Sequence, residues 1–138
     1  MTKRVALKKG YCIKTYDEDG ELIKEEYFNK KKELSREDGA AIKRYSKGVL
    51  CMEEWYVDNE IKDGISQISY HSNGQIKETL HYYKGKIHSS NGPAFLKYDE
   101  QGNVIDLEYW INNKLCSKNF KVVQIDNKRF VIRKEENK

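Results

Sequence analysis

The sequence predicts an all-β protein, an elongated antiparallel meander of about four β-hairpin repeats closed by a C-terminal capping hairpin. Three observations predict it. A glycine is followed six residues later by a tyrosine four times, at Gly10/Tyr16, Gly39/Tyr45, Gly64/Tyr70 and Gly92/Tyr98. A second glycine, Gly20, Gly48, Gly74 or Gly102, follows nine or ten residues after the first. Helix signals are nearly absent, whereas tyrosine, which favours strands, occurs ten times. Self-similarity at a period of about 20–50 residues marks a repeat architecture. The chain is therefore read as one repeat domain, residues 1–138, with units at about 10–38, 39–63, 64–91 and 92–119 and a cap at 120–134.

Each unit reads as two strands. The first spans the stretch from glycine to tyrosine, and its third residue is small in every copy: Cys12, Ala41, Ser66, Ala94. A polar turn follows, Asp17–Gly20, Ser46–Gly48, Ser72–Gly74 or Asp99–Gly102. Asp, Asn and Gly supply the positive φ angles that tight hairpins need. The second strand opens two residues past that glycine with Leu22, Leu50, Ile76 or Val104. It ends in aromatics: Tyr27-Phe28, Trp55-Tyr56, His81-Tyr82-Tyr83, Tyr109-Trp110. A short turn then leads to Leu34, Ile61, Ile87 or Leu115, and the next unit begins. Hairpins joined by short links give an antiparallel meander. Lys30–Asp38 has the composition of a short helical turn but falls in the loop between units one and two. After Asn119 the pattern decays into Val122–Ile125, a turn at Asp126-Asn127 and Arg129–Arg133, a hairpin suited to capping the array. Glu135–Lys138 reads as a frayed tail.

Composition narrows the function classes. Apolar residues make up 38% of the chain and charged residues 35%, so the core is lean. No run approaches the roughly 20 apolar residues of a membrane helix. The apolar part of the basic start is only Val5-Ala6-Leu7, too short for a signal peptide, so a cytoplasmic location is expected. Cys12, Cys51 and Cys116 are odd in number and lack C-x-x-C spacing, which fits reduced, buried thiols. The net charge of +4 is uneven: 10 basic against 7 acidic residues over 1–36, 10 against 12 over 37–119, and 6 against 3 over 120–138. Basic ends are a weak mark of a polyanion partner.

No catalytic constellation assembles in the sequence. His71, His81 and His88 fill strand or turn positions, and no spacing offers a metal its convergent ligands. There is no nucleophile elbow and no phosphate loop. The acidic pairs Glu25-Glu26 and Glu53-Glu54 stand on adjacent strand residues, which face opposite sides. They suit solvated faces or cross-strand lysines rather than one acid/base site. The aromatic rows carry more information. Tyr27, Trp55, His81 and Tyr109 are expected on one face, and Phe28, Tyr56, Tyr82 and Trp110 on the other. A single sheet cannot bury both faces. Either it curls over, or one row is left as an apolar strip of the kind that meets partners.

Three stretches also carry a resemblance: Glu37-Asp-Gly-Ala-Ala41, Glu53-Glu-Trp-Tyr-Val57, and above all Gly85-Lys-Ile-His-Ser-Ser-Asn-Gly-Pro-Ala94. Across about residues 10–118 the chain resembles MORN-type variant repeats, found in bacterial proteins labelled YwqK-like antitoxins and in phage and viral proteins. The resemblance implies stacked β-hairpins that bind rather than catalyse. The Gly-x-Gly step of standard MORN repeats is missing, so lipid binding is not carried over.

The expected function is a non-enzymatic protein–protein interaction module, in its most concrete form an inhibitor or antitoxin-like or anti-defence protein that binds a bacterial protein. The eight aromatic-row residues named above are the candidate partner-binding residues. No cofactor or metal is expected. The alternative is a nucleic-acid or nucleotide-binding protein that uses the basic ends and stacked tyrosines. The sheet edges leave room for a homodimer.

Overall fold

The computed structural model describes residues 1–117, 120–125 and 128–133. Its strands are β1 (Thr2–Leu7), β2 (Gly10–Tyr16), β3 (Leu22–Asn29), β4 (Ile42–Ser46), β5 (Val49–Glu54), β6 (Tyr56–Val57), β7 (Glu60–Ile61) and β8 (Gly64–Tyr70). They continue with β9 (Ile76–Tyr83), β10 (Lys86–Ile87), β11 (Phe95–Tyr98), β12 (Val104–Ile111), β13 (Lys114–Ser117), β14 (Phe120–Ile125) and β15 (Lys128–Arg133). Ten of them form one open antiparallel sheet in the order β1-β2-β3-β4-β5-β8-β9-β11-β12-β13. Nine inter-strand spacings of about 4.8 Å give about 43 Å across the strands, against about 27 Å along the longest of them. The all-β meander expected from the repeats is thus the fold. The β14–β15 hairpin pairs separately from the main sheet. Its expected turn at Asp126-Asn127, and the expected tail Glu135–Lys138, lie outside the described residues.

Each unit has three parts rather than two. A third segment folds back on the aromatic end of the second strand. It is a single bridge, Phe28 to Leu34, in unit one. It is the β6–β7 hairpin in unit two, β10 on β9 in unit three, and β13 on β12 in unit four. Two expected strands are shorter than their glycine-to-tyrosine stretches. β4 starts at Ile42 and β11 at Phe95; Pro93 has no N–H to give a ladder. The second strand of unit two breaks at Trp55, whose N–H goes to the Ser66 carbonyl at 3.0 Å. Residues 30–38 form turns and the Leu34 bridge, with no helix. The strand β1, paired with β2 from Thr2↔Thr15 to Leu7↔Gly10, has no counterpart in the repeat.

The recurring tyrosine sits at a recurring β-bulge. The register steps by one between Thr15 and Tyr16, Arg44 and Tyr45, Ser69 and Tyr70, and Lys97 and Tyr98. The extra residue is the second of β3, β9 and β12, Ile23, Lys77 or Ile105, and the third of β5, Cys51. A bulged residue has nothing opposite it and increases the local twist. This accounts for Ile23 and Ile105 being 38% and 50% exposed. The step leaves each tyrosine opposite the leading aliphatic residue, Leu22, Leu50, Ile76 or Val104, on one face.

Directly opposed residues share a face, so the registers define a row running Lys14, Glu25, Lys43, Glu53, Ile68, Thr79, Leu96, Leu107. The row is ionic in units one and two and largely apolar in units three and four. Beside it lie the small residues, with Cys12, Ala41, Ser66 and Ala94 at most 2% exposed. They form the seams between units. Tyr27, Trp55 and His81 donate their N–H to the carbonyls of Ala41, Ser66 and Ala94 in the following unit, at 2.8, 3.0 and 2.7 Å.

The short turns add staples. Asn59 and Asn113 stand at φ 67° and 68°. The Asn59 carboxamide oxygen accepts from Leu34 N at 2.7 Å, and Asn59 N donates back to Leu34 O at 2.9 Å. Asn113 does the same to Ile87, at 2.7 and 2.9 Å. In unit three Gly85 takes the turn position and has no side chain; Asp63 instead accepts from Lys84 N at 2.8 Å. Replacing Asn59 by glycine, which keeps the positive φ, is expected to cost about 1 kcal/mol for the lost bond. Alanine is expected to cost about 2 kcal/mol, because the left-handed backbone adds to it. Urea unfolding of the two variants checks this order.

Candidate functional site

The two aromatic rows separate as their alternation dictates, and none of the eight residues stands fully exposed. On the first face the Tyr27 hydroxyl donates to Glu25 at 3.1 Å, and the Arg36 guanidinium lies 3.9 Å above the ring. His81 Nδ1 meets the His88 carbonyl at 2.6 Å. On the second face Tyr56 donates to Glu54 at 3.3 Å, Tyr82 to Gln67 at 3.0 Å and Trp110 Nε1 to Glu108 at 3.4 Å. Phe28 stacks on Tyr11 with ring centroids 5.1 Å apart, and Arg4 covers Tyr11 at 3.9 Å. Trp55 and Tyr109 are half-buried on the first face. Tyr27, Tyr56, Tyr82 and Trp110 are thus held by their polar tips, and Phe28 by a stacked ring.

The acidic pairs divide between the faces. Glu26 and Glu54 meet Lys24 at 3.1 Å and Arg44 at 3.6 Å on the second face. Glu25, 9% exposed, accepts from Tyr27 and also from the Tyr45 hydroxyl at 2.5 Å, with Lys14 at 4.0 Å. Glu53 accepts from Tyr70 at 2.7 Å and faces Lys43 at 3.8 Å. A tyrosine of one unit thus clasps the glutamate of the unit before it. Sequence reasoning assigned lysine partners to such glutamates but missed these clasps. The signal was present: units with Lys at the fifth position, Lys14 and Lys43, also carry Glu25 and Glu53.

Burial, together with the Glu25 carboxylate, pushes the Tyr27 hydroxyl up to about 12. Burial and the bond to Glu25 raise Tyr45, and burial and the bond to Glu53 raise Tyr70. Burial first, and then Glu54, raises Tyr56 and Tyr82. Burial and Glu25 raise the Cys12 thiol; of the three thiols expected to be buried, Cys12 is, whereas Cys51 is half-buried and Cys116 exposed, since Cys51 is a bulged residue and Cys116 lies on the short strand β13. The folded chain therefore holds these phenol protons where the unfolded chain, with tyrosines near 10, releases them. Stability is fully present below about pH 10 and falls as pH rises from there toward 12 and beyond. A pH series of thermal melts is expected to be flat through pH 9 and to drop steeply above 10. Tyr45→Phe and Tyr70→Phe together should make that drop shallower.

A groove of about 890 Å³ lies at the turn end of unit one. Leu7, Lys8 and Lys9 come from the β1–β2 turn; Tyr27, Phe28, Lys30 and Lys31 come from the end of β3 and the turn beyond it. Arg36, Glu37, Asp38 and Asp58 complete it, five cations against three anions. Several acids are already engaged. Asp38 meets Arg36 at 3.4 Å, Asp58 accepts from the Asn29 side chain at 3.0 Å, and Glu37 meets Lys9 at 3.8 Å. Lys8, Lys30 and Lys31 have no acidic partner among the described residues. Leu7 is 45% exposed. Of the eight expected partner-binding residues, this groove brings together Tyr27 and Phe28; Trp55, Tyr56, His81, Tyr82, Tyr109 and Trp110 do not line it. Sequence reasoning missed the groove because its walls come from turns up to fifty residues apart.

Among the described residues no three His, Cys, Asp or Glu side chains are grouped to hold a metal ion, and no helix is long and apolar enough to cross a membrane. Compared with family models, with curated proteins and with solved structures, the chain matches none.

Proposed function

We propose that the chain is a non-enzymatic protein-interaction module whose partner offers an acidic surface to the groove at the end of unit one. The observation that carries the reading is the groove itself: an open concavity with an exposed leucine and three lysines that lack an acidic partner among the described residues, on a framework stapled unit to unit. Rigid repeats that present a fixed surface bind with little ordering cost. An inhibitory, antitoxin-like role toward a bacterial protein is the concrete form implied by the resemblance to MORN-type repeats.

The lysine cluster also favours a second reading, binding of nucleic acid. One observation weighs against it. The tyrosines and phenylalanine that would stack on bases are half-buried, and Tyr11, Phe28 and Arg4 already stack on one another.

The test is affinity capture from lysate at low and high salt, with wild type beside a Lys8→Glu/Lys9→Glu/Lys30→Glu/Lys31→Glu variant of verified fold. A stoichiometric protein held by the wild type and lost by the variant is expected. Nucleic acid alone, washed off with a steep salt slope, would sink the protein reading and promote the second.

A further inference from the structure

The end of the sheet at β1 is open, and its geometry can be read residue by residue. Met1 and Tyr16 exchange backbone bonds, 3.2 Å from the Met1 ammonium to Tyr16 O and 2.8 Å from Tyr16 N to Met1 O. Exchanged pairs recur at every second residue of an antiparallel ladder. Lys3, Val5 and Leu7 therefore bond to Lys14, Cys12 and Gly10, their partners in register. The N–H and C=O groups of Thr2, Arg4 and Ala6 point away from β2, and these three residues are exposed. This is a row of outward donors and acceptors of the kind that pairs with another strand.

Its side chains select the occupant. The stretch Thr2–Lys9 contains Lys3, Arg4, Lys8 and Lys9 and no acid. Arg4 is held in place over the Tyr11 ring, which itself stacks on Phe28. A second copy of the chain suits this edge poorly. Antiparallel self-pairing through the outward residues sets Thr2 against Ala6 and Arg4 against Arg4, and like charges directly opposite are destabilising. An extended acidic segment meets no such penalty. At the Leu7 end it would run toward the lysines of the groove.

We propose that β1 receives an extended acidic segment of the partner protein as an added strand, with main-chain bonds to Thr2, Arg4 and Ala6 and carboxylates on the face that carries Arg4. The proposal rests on the protein-binding reading and adds to it the mode of recognition.

The probe is an end-capped octapeptide of alternating glutamate and valine, with a lysine–valine peptide as control. Its binding to the full chain is followed by fluorescence anisotropy and by amide hydrogen exchange. The expected result is slowed exchange at Thr2, Arg4 and Ala6, no binding of the control, and at least tenfold weaker binding by Ala6→Pro. That substitution removes one outward donor and leaves the Val5 and Leu7 bonds to β2 intact. Arg4→Glu should weaken binding similarly. Three outcomes would overturn the proposal. Binding unchanged by Ala6→Pro but abolished by the four groove substitutions would confine the ligand to the groove and leave the protein-binding reading standing. Slowed edge exchange without peptide, with a doubled mass in sedimentation that Ala6→Pro abolishes, would identify a second copy. Absence of peptide binding would remove the acidic strand altogether.

Discussion

Replacing Glu25 by alanine is expected to destabilise the protein by about 3 kcal/mol, or about 10 °C in melting temperature. Glu25 is the most buried acid of the ionic row, and three groups converge on it: Tyr27 and Tyr45 through hydrogen bonds at 3.1 and 2.5 Å, and Lys14 at 4.0 Å. Hydrogen bonds to a charged acceptor contribute about 1.5–3 kcal/mol each. The tyrosines are half-buried and recover part of that from water, so the estimate stays near the cost of one to two such bonds. Removing the carboxylate also undoes the clasp between units one and two, since Tyr45 belongs to the second unit. Glu53 accepts from one tyrosine, Tyr70, so Glu53→Ala is expected to cost about half as much. Glu26→Ala, which loses a partly solvated pair with Lys24, should cost under about 1 kcal/mol. Urea unfolding followed by tryptophan fluorescence measures all three. A cycle of Glu25→Ala with Tyr45→Phe should show a coupling of about 1–2 kcal/mol. Equal losses for Glu25→Ala and Glu26→Ala would mean that the buried clasp contributes nothing beyond a surface ion pair.

The clasp shows what kind of information the sequence carried. Glycine spacing marked the hairpin turns inside the units, since a positive φ is a local demand with a local answer. Gly20, Gly48, Gly74 and Gly102 all take it, at φ 77° to 88°. Alternation assigned Tyr27 and Phe28 to opposite faces for the same reason. Depth was not legible. Alternation says which way Glu25 points, but whether it meets water or two tyrosines depends on the neighbouring unit. The bulge before each tyrosine was hidden as well, because an extra residue such as Ile23 or Ile105 looks like any other strand residue. β1 escaped notice because it borrows its order from β2 and repeats nothing itself. Alternation separates the two aromatic rows by face, but it does not reveal their packing, with Arg36 over Tyr27 and Phe28 on Tyr11.

The largest difference between two equivalent positions is expected at the glycines that open units one and four. Gly10 and Gly92 share the motif and nearly the same backbone, φ 157° and 158°. Either one replaced by alanine is strained by that backbone, at about 1–2 kcal/mol. The surroundings then separate them. Gly10 lies opposite Asn29, where β3 runs on to the end of β2. A β-carbon there would stand 1.9 Å from the Phe28 carbonyl oxygen and 3.0 Å from the Asn29 α-carbon. Both are backbone atoms, so no side-chain rotation relieves the clash. The strands must part, and the turn end of β2, the Tyr11–Phe28 stack and the groove wall move with them. At Gly92 nothing lies within 4 Å of the same carbon. Gly10→Ala is therefore expected to lose at least about 3 kcal/mol more than Gly92→Ala, a cost at the upper end for an overpacked site. The midpoints of urea unfolding decide it. Equal midpoints would mean that the β2–β3 ladder gives way at that end without cost. A Gly10→Ala protein that folds with the stability of Gly92→Ala, but loses the partner held at the groove, would place the rigidity of that end in the service of binding rather than of the fold.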